Sequence, residues 1–259
     1  MARLIEETAV EGCLAWGAWS GMEIFDQGDL LWTMTAVPFP LFNSVLFSRL
    51  GPGVVEGRVR DLQSLARGRG VPLAWFTTPL SRPEDLGERL QSMGFFLGGV
   101  TAGMAMDLSL LRQPLPPPPG LVVEEVGDAR AFREWSMVML PVFQFPDYAF
   151  DPWVDMHAAL GFGPERPWRH YLLRLQGRPV ATSSLFLGSR ACMVASVAVL
   201  PEHRRQGIGS AAVLAPLLEA RRLGKRLGTL CSSDMGQGIY RRLGFQEHCR
   251  MNLYLWMND

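Results

Sequence analysis

The chain has 259 residues, a length that suits one large domain or two smaller ones. Hydrophobic residues make up 48% of it, which is enough for a packed core and argues against disorder. Lysine plus arginine and aspartate plus glutamate number 25 each, and this zero net charge argues against bulk nucleic-acid binding.

The start of the chain indicates a cytoplasmic protein with no membrane partner. MARLIEETAVEG has acidic residues where a secretory signal would be basic and then apolar. The longest uncharged run, Leu30 to Phe47, contains Pro38 and Pro40, so it predicts two short buried strands rather than a membrane helix. Thr77 to Leu90 predicts a loop followed by a helix.

Cysteine usage also points to the cytoplasm. The cysteines form no Cys-x-x-Cys pair, so the sequence predicts reduced, mostly buried thiols and no metal site. They are Cys13, Cys192, Cys231 and Cys249.

A proline-rich segment, QPLPPPPG, divides the chain near its middle. Consecutive prolines cannot continue a helix or a central strand and favour a stiff, extended spacer. The sequence therefore predicts a linker over residues 113–120 between two parts, residues 1–112 and residues 121–259.

The two parts share short matches in the same order, which indicates an internal repeat. ARGRGVPLAWFTT matches ARRLGKRLGTLCSS, and RLQSMGF matches IYRRLGF. Aligning Gly70 with Gly224 places Gly53 on Gly207 without a gap.

The second part predicts a mixed α/β domain in the order β-α-(α)-β-β-β-α-β-α-β. Asp128 precedes the first helix as a cap, and Pro216 should kink the helix after the glycine turn. The predicted elements are a strand at 121–126, a helix at 128–140, three strands within 170–200, a helix at 207–222, a strand at 227–233, a short helix at 236–244 and a strand at 249–257.

The segment HRRQGIGSAAVL, from His203 to Leu214, places two glycines in a basic turn before a helix. Such a turn presents free N–H groups and the positive end of the helix dipole, which suits a phosphate. A P-loop would need Gly-Lys followed by Ser or Thr, which is absent. GIGSAA satisfies the dinucleotide fingerprint, but no acid lies between Glu219 and Asp234, and the strands before the turn are hairpin-linked. RRQGIG, from Arg204 to Gly209, fits a third pattern, the acyl-coenzyme A loop R/Q-x-x-G-x-G/A.

With the strand ASVAVL before this loop and the segment IYRRLGF after it, the sequence resembles the GNAT superfamily of N-acetyltransferases. The resemblance covers about Leu121 to Met257 and, more dimly, the first half. It implies a mixed α+β sheet of the acyl-coenzyme A N-acyltransferase fold, splayed open beside the loop, in two related halves that form a pseudo-dimer. It also implies acetyl-coenzyme A as the acyl donor, with no metal.

The resemblance assigns the cofactor site to the strand and the loop. The strand before the loop would hydrogen-bond the pantetheine arm, and the amides from Arg205 to Ser210 would hold the pyrophosphate. Ser233 stands where many family members have asparagine, and Gly236 where many have alanine. The expected cofactor-binding residues are Val197, Ala198, Val199, Arg204, Arg205, Gln206, Gly207, Ile208, Gly209, Ser210 and Ser233.

Tyr240 is the expected general acid for the departing thiolate, by resemblance to the family tyrosine. The alternative is a helix tyrosine that packs its ring and exposes its hydroxyl. No cysteine stands where a covalent acyl-enzyme would be expected, so we predict direct transfer in a ternary complex. No general base is assigned, because the strand Ser196 to Val199 lacks an acid. Four titratable residues near the expected acceptor site are predicted to lie at the surface: Glu134, Asp147, Asp155 and His157.

An aromatic set lies where the acceptor would enter. It could line a pocket for an apolar or aromatic acceptor, but packing, for example against the other half, is the favoured interpretation. The set is Phe143, Phe145, Tyr148, Trp153, Phe162 and Trp168.

The first half lacks the residues that carry the chemistry. In the alignment Leu50, Val55 and Leu90 replace the arginine, the second glycine and the tyrosine. We therefore expect residues 1–112 to be a truncated, degenerate GNAT-like domain that completes the pseudo-dimer and walls the acceptor site.

The function implied by the resemblance is transfer of the acetyl group of acetyl-coenzyme A to a primary amine. The acceptor could be a small molecule or a peptide, and the protein a monomer or a homodimer. The alternative is a non-catalytic regulatory or interaction protein that binds acetyl-coenzyme A.

Overall fold

The computed structural model describes residues 1–112 and 116–258. Residues 113–115 of the predicted linker lie outside the described residues, and so does residue 259. Within the described ranges, no helix has both the length and the apolar character that a membrane crossing needs.

The strands form one mixed sheet in the order β1-β2-β3-β4-β11-β5-β10-β9-β8-β7-β6. They are β1 (Glu23–Asp26), β2 (Leu30–Met34), β3 (Ser44–Ser48), β4 (Leu73–Thr77), β5 (Phe96–Asp107), β6 (Leu121–Glu125), β7 (Trp168–Leu175), β8 (Arg178–Leu187), β9 (Cys192–Val199), β10 (Leu227–Ser232) and β11 (Gln246–Trp256). The α-helices are α1 (Ala2–Ala15), α2 (Val55–Arg69), α3 (Leu86–Ser92), α4 (Ala129–Val142), α5 (Phe150–Leu160), α6 (Ile208–Arg222) and α7 (Asp234–Leu243).

The predicted element order of the second half is confirmed. Asp128 caps α4 through a hydrogen bond from the Ala131 N–H, at 2.8 Å. The uncharged run of the first half forms β2 and β3, as two short strands. Pro216 lies inside α6, which continues through it to Arg222.

The two halves repeat one series of elements. The first half contains the series β1-β2-β3-α2-β4-α3-β5. The second half contains the same order of strands and helices as β7-β8-β9-α6-β10-α7-β11. The helix ends match in detail: Val71 N–H donates to Ala66 O, and Lys225 N–H donates to Ala220 O, both at 3.0 Å. Because the chain turns through a left-handed glycine between donor and acceptor in each case, the same C-terminal motif ends α2 and α6.

Each half gives its last strand to the other half. β5 pairs with β10 of the second half from Ala102↔Ser232 to Asp107↔Leu227. β11 pairs with β4 of the first half, and β5 and β11 lie side by side, antiparallel, at the centre of the sheet. The sheet therefore does not divide at the proline-rich segment.

The helices cover both faces of the sheet. Successive residues of β5 point to opposite faces: Met104 packs in the cluster under α6 and α7, while Ala105 packs with Ile5 of α1. The helices α2 and α3 lie on the face of α6 and α7, and α4 and α5 lie on the face of α1.

The helix α1, which has no counterpart among the predicted elements, binds the first half to the second. Trp168 Nε1 donates to Gly12 O at 3.0 Å. A Cβ at Gly12 would lie 3.1 Å from both Met193 Cε and Trp168 Cζ2, so a glycine lets the helix approach β9 closely.

We predict that residues 1–112 and residues 121–259, expressed separately, do not show cooperative unfolding. Each fragment would lack the strand that the other half places inside its sheet, and an isolated sheet edge is left unpaired. Coexpressed, the fragments should form a heterodimer that melts cooperatively, as measured by circular dichroism and sedimentation. A cooperative transition in either fragment alone would contradict the prediction.

Candidate active site

The sheet opens between β9 and β10. The two strands pair in parallel at two positions only, of which Met193↔Thr229 is the last. Beyond this pair, β9 continues to Val199 and β10 continues to Ser232, but the two strands no longer pair with each other. The backbone groups of residues 194–199 that face β10 therefore have no strand partner, and the predicted splay beside the loop is confirmed.

A bulge in β9 lies in the same stretch. Between Thr182 and Ser184 the register with β8 shifts, so that Ser196 and Val197 together oppose Ser183. Ser196 adopts a left-handed φ of 51°, held by a hydrogen bond from Thr182 Oγ1 to its carbonyl at 3.0 Å. Because a bulge bends the strand that carries it, this feature turns β9 where the two strands separate.

The loop after β9 presents unpaired backbone N–H groups. Arg205 and Gly207 have left-handed φ values of 65° and 83°, and α6 begins at Ile208. Within the described residues, the N–H groups from Arg205 to Ser210 have no hydrogen-bond acceptor. The helix dipole adds partial positive charge at this point, so the loop has the geometry of an anion site.

The side chains of the loop divide into two roles. Arg204 Nε donates to Val199 O at 3.1 Å, so this arginine ties the loop to the end of β9. Gln206 Nε2 donates to Glu202 O at 3.3 Å. Arg205 is exposed and is the cation that the loop turns to solvent.

Gly209 lies at a close approach of three elements. A Cβ on this residue would be 3.1 Å from Ile239 Cδ1 of α7 and 3.7 Å from Val199 Cγ2 of β9. The absence of a side chain keeps the first turn of α6 against both neighbours and leaves its amides uncovered.

Tyr240 lies at the end of β10, on α7. A Cβ on Gly236 would be 2.7 Å from Tyr240 Cε2, so the ring packs directly over this glycine. Ser232 Oγ would be 3.1 Å from the same Cβ, which places the ring beside the last residue of β10. Burial raises the pKa of the Tyr240 hydroxyl to about 12. Ser233, the N-cap residue of α7, is exposed and makes no side-chain capping bond.

One cysteine, Cys231 of β10, lies near Tyr240. Cys231 is close enough to Tyr240 for a thiolate there to raise the pKa of the phenol. The residue is exposed, but its sulfur lies 3.4 Å from Met251 Sδ, and desolvation by the surrounding protein raises the pKa of the thiol to about 12. The side chain is therefore a thiol at neutral pH, and a thiol is a poor nucleophile.

The aromatic set packs mainly against the first half, as favoured from the sequence. Ring centroids of Phe39 and Phe145 are 4.7 Å apart, and those of Trp16 and Trp168 are 6.1 Å apart. Trp153 is buried, but Phe143 and Tyr148 are exposed. The first half therefore walls this face of the second half.

His157 is not a surface residue, contrary to the expectation. It is 2% exposed because α5 turns it inward between Trp153 and Phe132, with ring centroids at 4.4 and 4.8 Å. Its Nδ1 lies 3.0 Å from Trp153 O. Burial lowers its pKa to about 4 and lowers that of the adjacent His170 well below the ordinary value.

The acidic candidates lie as predicted. Asp147 and Asp155 are exposed. Glu134 is half-buried and forms an ion pair with Arg174, at 2.6 Å. The structure therefore adds no carboxylate from this set to the opening.

The first half has the same strands but a closed slot. The segment after β4 turns back to the end of β3, where Arg82 N–H donates to Ser48 O at 3.2 Å and Leu50 N–H donates to Arg82 O at 3.1 Å. Gly53 does not have the left-handed φ of Gly207. The chain thus fills the position that is open in the second half.

The sequence did not reveal this closing segment or the part α1 takes in the second half. TTPLSRP reads only as a loop, because nothing in it specifies which strand it will meet. The burial of Leu4, Ile5, Thr8 and Gly12 follows a helical spacing that could have indicated α1.

Residues 166–247, about a third of the chain, match the family model described as an acetyltransferase (GNAT) domain. No curated protein matches the sequence. A GCN5-related N-acetyltransferase from Kribbella flavida is similar in structure, with a TM-score of 0.77, 20% identity, and coverage of 98% of this chain and 95% of that one.

Two further solved structures cover most of both chains. A functionally unknown conserved protein from Staphylococcus epidermidis has a TM-score of 0.70 at 14% identity, with 92% and 94% coverage. A tandem GNAT protein from the clavulanic acid biosynthesis pathway has a TM-score of 0.64 at 16% identity, with 98% and 93% coverage. Residues 166–247 thus match a GNAT acetyltransferase domain, and the chain as a whole has the GNAT fold. These findings support acyl transfer as the general chemistry.

We predict that acid destabilises the protein through the buried histidines. A folded-state pKa below the unfolded value makes protonation favour the unfolded chain, so this stability is complete above pH 6.5 and lost as pH falls toward 4. His157 alone should account for about 3 kcal/mol of unfolding free energy. Urea unfolding at several pH values measures it.

Two variants isolate the histidine contribution. His157→Phe should reduce the pH dependence of the unfolding free energy between pH 6.5 and 4, with the remainder carried by His170. His203→Gln, a change in the loop before α6, should keep the wild-type slope. Equal slopes in His157→Phe and wild type would contradict the assignment.

Proposed function

We propose that the protein is an acetyl-coenzyme A-dependent N-acetyltransferase with one active site, in the second half. The observation that supports it most is the joint presence of the unpaired β9 edge and the free amides before α6. An extended arm followed by a pyrophosphate needs these two surfaces in this order along the chain.

The pantetheine arm adds to β9 as an extra strand. Its two amides pair with backbone groups of Val197 to Val199, which have no partner on that side. Arg204 already donates to Val199 O. The N–H and C=O of Val197 are therefore the freer groups, and its N–H is the candidate donor to the thioester oxygen.

The pyrophosphate binds to the loop from Arg205 to Ser210. Backbone N–H groups at a helix N-terminus bind phosphate without a dedicated cationic pocket. Arg205 adds a full positive charge at the solvent side. Such a site is compatible with the zero net charge of the chain.

Transfer joins the acceptor nitrogen to the acyl carbon and breaks the carbon–sulfur bond. The amine loses a proton, and the sulfur leaves as a thiolate that gains one. The Tyr240 phenol, with its pKa near 12, is a weaker acid than a thiol of about 8.5. Tyr240 therefore donates a hydrogen bond to the departing sulfur rather than transferring its proton completely.

We predict that Gly209→Glu abolishes acetyl-coenzyme A binding. The side chain would meet Ile239 and place a negative charge at the helix N-terminus that receives the phosphates. Gly53→Glu is the matched control, because a Cβ there meets no atom within 4 Å. Calorimetric titration should give one site per chain for wild type and Gly53→Glu. A second site, or binding that survives Gly209→Glu, would contradict this assignment.

We predict that Tyr240→Phe slows acetyl transfer by about 100-fold, since a hydrogen bond to a developing charge is lost. The dissociation constant for acetyl-coenzyme A should stay unchanged, because the hydroxyl contacts the sulfur only in the transition state. Cys231→Ala should retain turnover within about threefold if transfer is direct. Unchanged turnover in Tyr240→Phe would remove the role given to the hydroxyl.

A further inference from the structure

The strand β5 has an open edge next to the proposed transfer site. It pairs with β11 along residues 96–105 but with β10 only along residues 102–107. Residues 96–101 therefore have a neighbouring strand on one side alone. No described residue donates to or accepts from their other side. Alternate residues in an antiparallel pair turn their N–H and C=O away from the partner, so this edge offers backbone donors and acceptors.

This edge forms one wall of the opening. The last pair between β5 and β10 is Ala102↔Ser232, and β10 ends there. The residues before Ala102 continue past the end of β10, on the opposite side of β10 from Val194 to Val199 of β9. Two unpaired strand edges thus flank the opening, and the pantetheine arm of the proposed function takes only the β9 edge.

The open segment lacks the protection that the outer edges of the sheet carry. The outer strand β6 has Glu124, which pairs with Arg174, and the outer strand β1 has Glu23, which pairs with Arg69. Charges of this kind prevent strand addition. FLGGVT, residues 96–101, has no charge and no proline, and Phe96 and Leu97 are 50% and 46% exposed. A Cβ on Gly99 would meet no atom within 4 Å, so another backbone can approach closely.

In the first half the equivalent opening takes an extended polypeptide, on the β3 edge that corresponds to β9. Eight residues, Thr78 to Asp85, connect β4 to α3, and Arg82 bridges in parallel to Arg49, just after β3. In the second half Ser233 alone connects β10 to α7. The slot that the first half closes with its own extended chain is thus left open in the second.

We propose that the acyl acceptor is a peptide in extended conformation, which adds as a strand to residues 96–101 of β5. This inference rests on the proposed function. Backbone pairing holds the peptide with little dependence on its sequence, and Phe96 and Leu97 contact its apolar side chains on alternate faces. Its N-terminal or lysine amine reaches the opening beside Tyr240. The amine nitrogen bonds to the acyl carbon, the carbon–sulfur bond breaks, and the proton that the amine loses goes to the coenzyme A thiolate, which leaves as the thiol.

The test compares acceptor classes on the full chain with acetyl-coenzyme A. The probes are a mixture of random octapeptides that contain one lysine, the same amino acids in free form, and a set of small mono- and polyamines. Product masses identify the acetylated species. The octapeptides should be acetylated, and the free amino acids and small amines should not. One acetylated peptide is then made in two forms, with its backbone nitrogens methylated at the odd positions or at the even positions. Only the form whose methylated nitrogens face β5 should lose transfer.

Variants then locate the peptide. Leu97→Lys should lower kcat/KM for the peptide by about tenfold or more, because a charge on an edge opposes strand addition. Val100→Lys, also at an exposed position, should do the same. Val122→Lys is the matched control, since Val122 is 53% exposed on the outer strand β6. All three should bind acetyl-coenzyme A as wild type does.

The outcomes separate the two proposals. If the wild-type protein does not bind acetyl-coenzyme A, the proposed function is wrong and this inference falls with it. Acetyl-coenzyme A binding with transfer to small amines, unaffected by Leu97→Lys and Val100→Lys, would overturn the peptide acceptor alone. Acetyl-coenzyme A binding with no octapeptide acetylated would also overturn it.

Discussion

The antiparallel pairing of β5 with β11 is the constraint on which the rest of the structure depends. Both strands are long, and each has a strand of the other half on its second side. β5, from the first half, pairs with β10, and β11, from the second half, pairs with β4. Neither half therefore has a complete sheet of its own. The same exchange places β5 next to β10, so the first half builds one wall of the opening in the second.

One fold gives two different slots because two connections differ in length. After β4 the chain has enough residues to return to β3 and pair with it at Arg82. After β10 the helix α7 begins almost at once, and its early start brings Tyr240 over Gly236 to the end of the strand. The first half also lacks the second loop glycine, the arginine and the tyrosine, since Val55, Leu50 and Leu90 stand in their places.

The candidate site is built mainly from backbone groups. Unpaired strand edges and the first amides of α6 provide its hydrogen-bonding capacity, while most side chains nearby are apolar or desolvated. Burial keeps Tyr240 and Cys231 protonated and keeps His157 neutral. A chain with zero net charge can therefore hold a strongly anionic ligand, because the helix N-terminus supplies directed donors.

The sequence by itself determined the element order of the second half, the glycine turn before α6 and the relation between the halves. These depend on local periodicity, caps and turn residues such as Asp128, Gly70 and Gly224, which act over a few positions. The tertiary structure alone decided the strand exchange, the closure of the first slot and the burial of His157. Each of these is a pairing between segments far apart in the chain. A strand or an apolar helix face can form similar backbone hydrogen bonds, and bury similar area, against many other segments. The local sequence pattern therefore does not specify which segment it meets.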